Sequence, residues 1–215
     1  MVRIYLDVET YRQRKEDAFV NEKVIAIGLL EDFTPYTQDN LNQPVKELLF
    51  TEWELGAEEE VIKTFYSYLK KLLTNGARFI VVVGFNILRM DIPLLIQKGV
   101  KFEEDLSKLN QLWHNMFTVD LFQLLLLANN FAFKGLRLAK IIQLIRDKLS
   151  CNNAPPLEEH GEEVARAYDE KRYDNIEKWL KQDLYALRYL DLSGAMVKLV
   201  EHSLKEGRRL FLDSE

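Results

Sequence analysis

The sequence holds one cysteine, Cys151, among 215 residues. That excludes an intrachain disulfide and a multi-cysteine zinc site, and it fits a reducing compartment. The three histidines, His114, His160 and His202, have no spacing suited to zinc, and no G-x-S-x-G stretch occurs. His160 stands 19 residues before Trp179 and 23 before Asp183, so no local geometry supports it as a general base there. No internal repeat or low-complexity tract is present. The longest apolar run lies within residues 121–133, too short for a membrane span of about 20 residues. The first residues already read as a charged amphipathic strand, which argues against a signal peptide. A soluble cytoplasmic protein with no membrane contact is the expectation. Excess positive charge is missing too. The 29 basic and 34 acidic residues give a net charge of −5. This excludes a broad basic coat for nucleic acid, but not nucleic acid held locally through metal ions and a small basic groove.

What is present is ample core. The chain is 47% hydrophobic, with 12 Phe, 9 Tyr and 3 Trp, and its length suits one domain over residues 1–215. The 29% charged content leans towards a thermophile. Strands are expected at residues 4–12, 24–30 and 46–53, and a doubly buried one at 79–85. Between the first two lies a polar loop or hairpin. The stretch from Glu58 places acids first, apolar residues at helical spacing next and lysines last, the charge order of a helix that Asn75-Gly76 ends. A short helix from about Ile92, a linker near residues 102–110 and a strand or turn at 117–122 follow. Residues 136–149 form an amphipathic helix, and Pro155-Pro156 marks a loop over 151–163. The region 162–204 reads as helical, broken near Tyr173 or Gly194. Strands early and helices late give an α/β or α+β domain on a mixed sheet.

Three stretches put acids in unusual places. In IYLDVETYR, Asp7 and Glu9 alternate with Ile4, Leu6 and Val8, so both project from one face of a strand. Either that face meets solvent, or a divalent cation with oxygen ligands offsets their repulsion. In GFNILRMDIPLL, Asp91 follows the buried strand. It reads as a helix N-cap with Pro93 in the first turn, a role compatible with holding metal. In IEKWLKQDLYALRYL, Asp183 lies on the apolar stripe of Ile176, Trp179, Leu180, Leu184, Leu187 and Leu190. It is either a boundary residue reaching water or a lysine, or an acid with a buried task.

Together these stretches resemble the three exonuclease motifs of the DEDD superfamily of 3′–5′ exonucleases, and most of all the proofreading domain of B-family DNA polymerases. Asp7, Glu9 and Thr10 match the D-x-E-T of the first motif. Gly84, Phe85, Asn86, Ile87, Asp91, Pro93 and Leu95 match the second, with Met90 at its Phe position. Gln182 and Asp183 match the end of the third. The resemblance implies a stand-alone, archaeal protein with an RNase H-like fold, its central mixed β-sheet flanked by helices. It implies that Asp7, Glu9, Asp91 and Asp183 hold two divalent ions, Mg²⁺ or Mn²⁺, with Asp7 bridging both. The implied activity is 3′–5′ hydrolysis of single-stranded DNA, with RNA as a possible substrate. The backbone at Thr10 and the side chains of Phe85 and Asn86 would meet the terminal nucleotide. Asp120 resembles an accessory acid behind the family's active site.

One departure stands out. The third motif carries Tyr, or His in a sister group, where this chain has Trp179. An indole N–H donates but cannot accept a proton. Trp179 would hold a water as donor or simply pack, and Tyr185, on the far side of the helix, is a poor substitute. Two rival readings follow: a catalytically weak relative that binds nucleic acid or a replication or repair partner, and a metal-independent interaction domain. Arg12, Arg14, Lys15, Arg208 and Arg209 could touch phosphate but read more simply as solvated charges. The aromatic helical surfaces are compatible with a homodimer.

Overall fold

Val2–Tyr11 form β1, the middle strand of the sheet, and its alternation sets the architecture. The computed structural model describes residues 1–13, 16, 19–33, 40–74, 79–102, 104–149, 153–161, 163–207 and 210. Arg14, Lys15, Asn75-Gly76, Cys151, Arg208 and Arg209 therefore lie outside the described residues. β2 (Lys23–Asp32) runs antiparallel to β1, and β3 (Lys46–Thr51) antiparallel to β2. On the other side, β4 (Ile80–Gly84) is parallel to β1, and β5 (Phe117–Asp120) is parallel to β4. The resulting five-stranded mixed sheet has the order β3-β2-β1-β4-β5.

Successive side chains of β1 serve two separate cores. Val2, Ile4 and Leu6 join Val61, Ile62, Phe65 and Leu69 of α2 (Glu58–Thr74) and Leu94 and Leu95 of α3 (Asp91–Phe102). On the opposite face, Tyr5 joins Leu184, Leu187 and Leu190 of α8 (Tyr173–Leu192). Asp7 and Glu9 belong to this second face. Thus α8 covers β1 on the side that carries the acids. Glycine makes this approach close, because Gly28 is the β2 residue paired with Asp7. A Cβ there would stand 2.8 Å from both Leu180 Cγ and Leu184 Cδ1.

The helical region after the Pro155-Pro156 loop breaks at both expected places, into α7 (Glu163–Asp169), α8 and α9 (Ala195–Lys205). Lys171 (φ 58°) and Gly194 (φ 72°) turn the chain at the two breaks. The expected linker at 102–110 is corrected: residues Leu106–His114 form helix α4. Asp105 caps it by accepting from the Lys108 amide, while Leu109, Leu112 and Trp113 are buried. The helix near Ile92 begins one residue earlier and runs for 12 residues. At residues 117–122, the strand ends at Asp120, which caps α5 (Leu121–Ala128). Residues 138–148 form α6, and Glu52–Leu55 the short α1. No helix among the described residues is long and apolar enough to cross a membrane.

Candidate active site

The carboxyl ends of β1, β4 and β5 lie at one end of the sheet, where the chain leaves each parallel strand. A ligand site in an open α/β sheet sits at such ends. β1 supplies Asp7 and Glu9, and a β-bulge follows between Glu9 and Thr10. Bulges twist a strand and re-aim side chains. Beyond it, the Thr10 hydroxyl donates to Glu22 at 2.7 Å, and Arg12 approaches Glu22 at 3.5 Å.

Leaving β4, the chain turns sharply at Gly84. A Cβ there would lie 2.2 Å from Ile87 Cγ2 and 2.9 Å from the Leu6 carbonyl. The close approach at this glycine is therefore to the chain's own turn. Asn86 takes φ 64°, a left-handed conformation that Asn tolerates better than most residues. Asp120 ties the turn down by accepting from the Asn86 and Leu88 amides at 2.8 and 3.1 Å. Asp120 thus has a structural role behind the turn. Among the described residues, the Asn86 Oδ1 is buried with no hydrogen-bond partner. Phe85 is half-buried and packs edge-on against Phe122 at 5.5 Å.

The turn delivers Asp91 as the first residue of α3, so its carboxylate meets the helix N-terminus. Burial pushes the Asp91 carboxyl up to about 7. Its own amide and that of Val8 pull it down, while Glu9 and Asp120 push it further up. The bond from Val8 sets Asp91 beside β1. Asp183 arrives from α8 on the other side. Burial also holds the Asp7 carboxyl well above the ordinary range, and the charges of Asp183, Glu9 and Asp91 add to that. The Glu9 carboxyl is raised by burial and by Asp183, against a hydrogen bond from His160. The acids of all three sequence stretches thus lie near enough to act on one another's charge.

His160 is the residue that sequence spacing missed. Its Nε2 lies 3.0 Å from Asp183 Oδ2 and 3.5 Å from Glu9 Oε1. Burial opposes its charge, yet the bonds to Asp183 and Glu9 prevail and raise its pKa to about 10. The other ring nitrogen, Nδ1, is 3.0 Å from the Glu158 carbonyl oxygen. The ring lies flat on Trp179, with centroids 5.3 Å apart and planes 6° from parallel. So Trp179 packs, and what it packs against is an imidazole inside the acid cluster. Local spacing gives no hint of this, because residues remote in sequence meet where the Pro155-Pro156 loop runs back over α8. Tyr185 bonds Glu47 at 2.5 Å and takes no part, and Tyr173 stacks on Trp53 at 4.6 Å. Gln182 lines a surface groove of about 560 Å³ with Pro155, Pro156, Lys178 and Lys181.

Ligand atoms from Glu9, His160 and Asp183 all lie within 4.8 Å of one another, close enough for one ion. Asp7 feels the charges of Asp183, Glu9 and Asp91, and Asp91 that of Glu9, so both carboxylates stand near this group. Buried oxygen donors that repel one another fit a divalent cation.

Comparison with known proteins rests on structure alone. No family model matches the sequence, and no curated protein matches it. The family B DNA polymerase from the hyperthermophilic archaeon Pyrobaculum calidifontis is similar, with a TM-score of 0.61 and 16% identity. The match covers 98% of this chain and 26% of the polymerase chain. The E. coli ExoI–ssDNA complex in its zinc-bound form aligns with a TM-score of 0.49 and 14% identity, over 94% of this chain and 42% of that one. At such identities the first likeness is one of fold. The chain has an α/β, RNase H-like fold, a mixed sheet flanked by helices.

Proposed function

We propose that this chain is a 3′–5′ exonuclease acting on single-stranded DNA, with RNA a further substrate to test. Asp7, Glu9, Asp91 and Asp183 would hold two Mg²⁺ or Mn²⁺ ions. The observation that supports the reading is that the charges of Asp183, Glu9 and Asp91 all act on the Asp7 carboxyl, next to the close group of Glu9, His160 and Asp183. Three of the four carboxylates are pushed to higher pKa by burial and by one another. Bound there, divalent ions would supply charge stabilisation for the phosphoryl group and a more acidic water.

The chain's own residues do the placing. The Val8 amide and the start of α3 hold the Asp91 carboxylate, and α8 presses Asp183 against β1. Asn86 Oδ1, buried and without a partner among the described residues, is an acceptor for a hydroxyl or amino group of the terminal nucleotide. Phe85 offers a ring for sequence-tolerant stacking, and the Thr10 backbone lies just past the bulge. Trp179 keeps His160 among the acids. A terminus must be unpaired to enter so confined a pocket, which favours single strands.

A 5′-labelled DNA strand incubated with Mn²⁺ tests this. The wild type shortens it stepwise from the 3′ end, and Asp7→Ala slows shortening roughly a thousandfold, about 4 kcal/mol of barrier. Undiminished shortening by the variant removes the assignment. One observation favours a second reading: Trp179 stands where a proton acceptor is expected. A non-cutting relative would bind the strand and leave its length unchanged.

A further inference from the structure

We propose that His160 is itself a metal ligand, completing a mixed nitrogen–oxygen site with Glu9 and Asp183 that takes Mn²⁺, Co²⁺ or Zn²⁺ ahead of Mg²⁺. The inference rests on the proposed reading that these acids bind metal, and not on cleavage of nucleic acid.

The distances suit a shared ion. Two donor atoms about 2.1 Å from one metal stand roughly 3.0–3.5 Å apart, for angles between octahedral and tetrahedral. His160 Nε2 lies 3.0 Å from Asp183 Oδ2 and 3.5 Å from Glu9 Oε1. The rest of the ring is arranged as metal-binding imidazoles are. A carbonyl oxygen only accepts, so the 3.0 Å contact with Glu158 assigns a proton to Nδ1. That leaves Nε2 as the nitrogen to coordinate, and a backbone carbonyl on the far nitrogen is the usual support of a ligating histidine. The parallel face of Trp179, 5.3 Å away, fixes the ring's rotation.

Ligand type decides the preferred metal. Mg²⁺ is hard, binds oxygen and gives up water reluctantly. Imidazole suits the later first-row ions, whose affinity for nitrogen sites rises along that series. The indole at position 179 then has a purpose that a tyrosine there would serve less well: a broad, flat wall that orients a nitrogen ligand.

Pulsed electron paramagnetic resonance of the Mn²⁺-loaded full chain tests the proposal. The expected result is a ¹⁴N coupling from directly bound imidazole, replaced by a ¹⁵N coupling when the protein is grown on ¹⁵N-histidine. His160→Gln loses that coupling. By calorimetry the variant binds Mn²⁺ and Zn²⁺ at least tenfold more weakly, while its Mg²⁺ affinity changes less than threefold. Absence of histidine nitrogen coupling in the wild type overturns the proposal, whether or not the variant folds. So does a failure to bind Mn²⁺. Coupling without strand shortening removes the nuclease reading and leaves this site. Shortening without coupling does the reverse.

Discussion

Asp91 shows what the acid cluster costs the fold. Its carboxyl is raised from 3.8 to about 7, so in the metal-free protein its ionisation opposes folding. A shift of that size corresponds to about 4 kcal/mol, a large share of a typical domain's stability of about 5–15 kcal/mol. The native state holds this proton over a range where the unfolded chain has lost it, so stability falls as pH rises from about 4 to 7. We therefore expect Asp91→Asn to raise the thermal midpoint of metal-free protein at pH 8 and to change it little at pH 4. His160 acts in a higher window. Its folded value of about 10 lies above the ordinary 6.5, so its stabilising ion pairs are intact below 6.5 and lost as pH climbs through 10. Metal-free wild type should lose stability across that interval in pH-resolved melts, and His160→Gln should not. Cations must displace the protons these groups hold, so Mn²⁺ affinity should fall as pH drops from about 10, and further below about 7, readable by calorimetry.

At the scale of elements, α8 controls the site, because it carries Trp179 and Asp183 and is clamped along its length. Near its start the Trp53 indole donates to Glu177 at 2.8 Å. Near its end Arg188 meets Asp32 at 2.8 Å and donates to the Leu41 and Gln43 carbonyls. Tyr5 donates to Asp191 at 2.8 Å. Replacing Arg188 by Leu leaves Asp32 buried without its guanidinium, and the expected cost is about 3–5 kcal/mol in chemical denaturation. Gly28 sets the height of the helix above the sheet. Gly28→Ala drives a methyl into Leu180 and Leu184, for about 1–3 kcal/mol of overpacking. It should also weaken Mn²⁺ binding, because Asp183 adjoins Leu184. Sequence periodicity exposes these elements unevenly. β1 is plain because two alternating faces meet two environments, and α8 because its stripe repeats at three and four. α4 hides because it is short: Leu106, Leu109, Leu112 and Trp113 repeat at three and four over only nine residues.

For the molecule as a whole, topology brings residues 7, 91 and 183 together, and a mixed sheet with parallel β1, β4 and β5 gathers the strand ends that carry the first two. The acids stand out in the sequence because charges on apolar strand and helix faces are conspicuous, and the resemblance to exonuclease motifs is what joins them. His160 does not stand out, since its place depends on the path of the 153–161 segment and on stacking against Trp179, neither of which leaves a local pattern. If cations complete this pocket, a divalent metal should raise the thermal midpoint and a chelator lower it, by binding that favours only the native state. The most direct measurement is anomalous diffraction from a crystal soaked in Mn²⁺. Peaks enclosed by Asp7, Glu9, Asp91 and Asp183 are the predicted result, whereas a fully soaked crystal with no peak in that pocket would contradict the account.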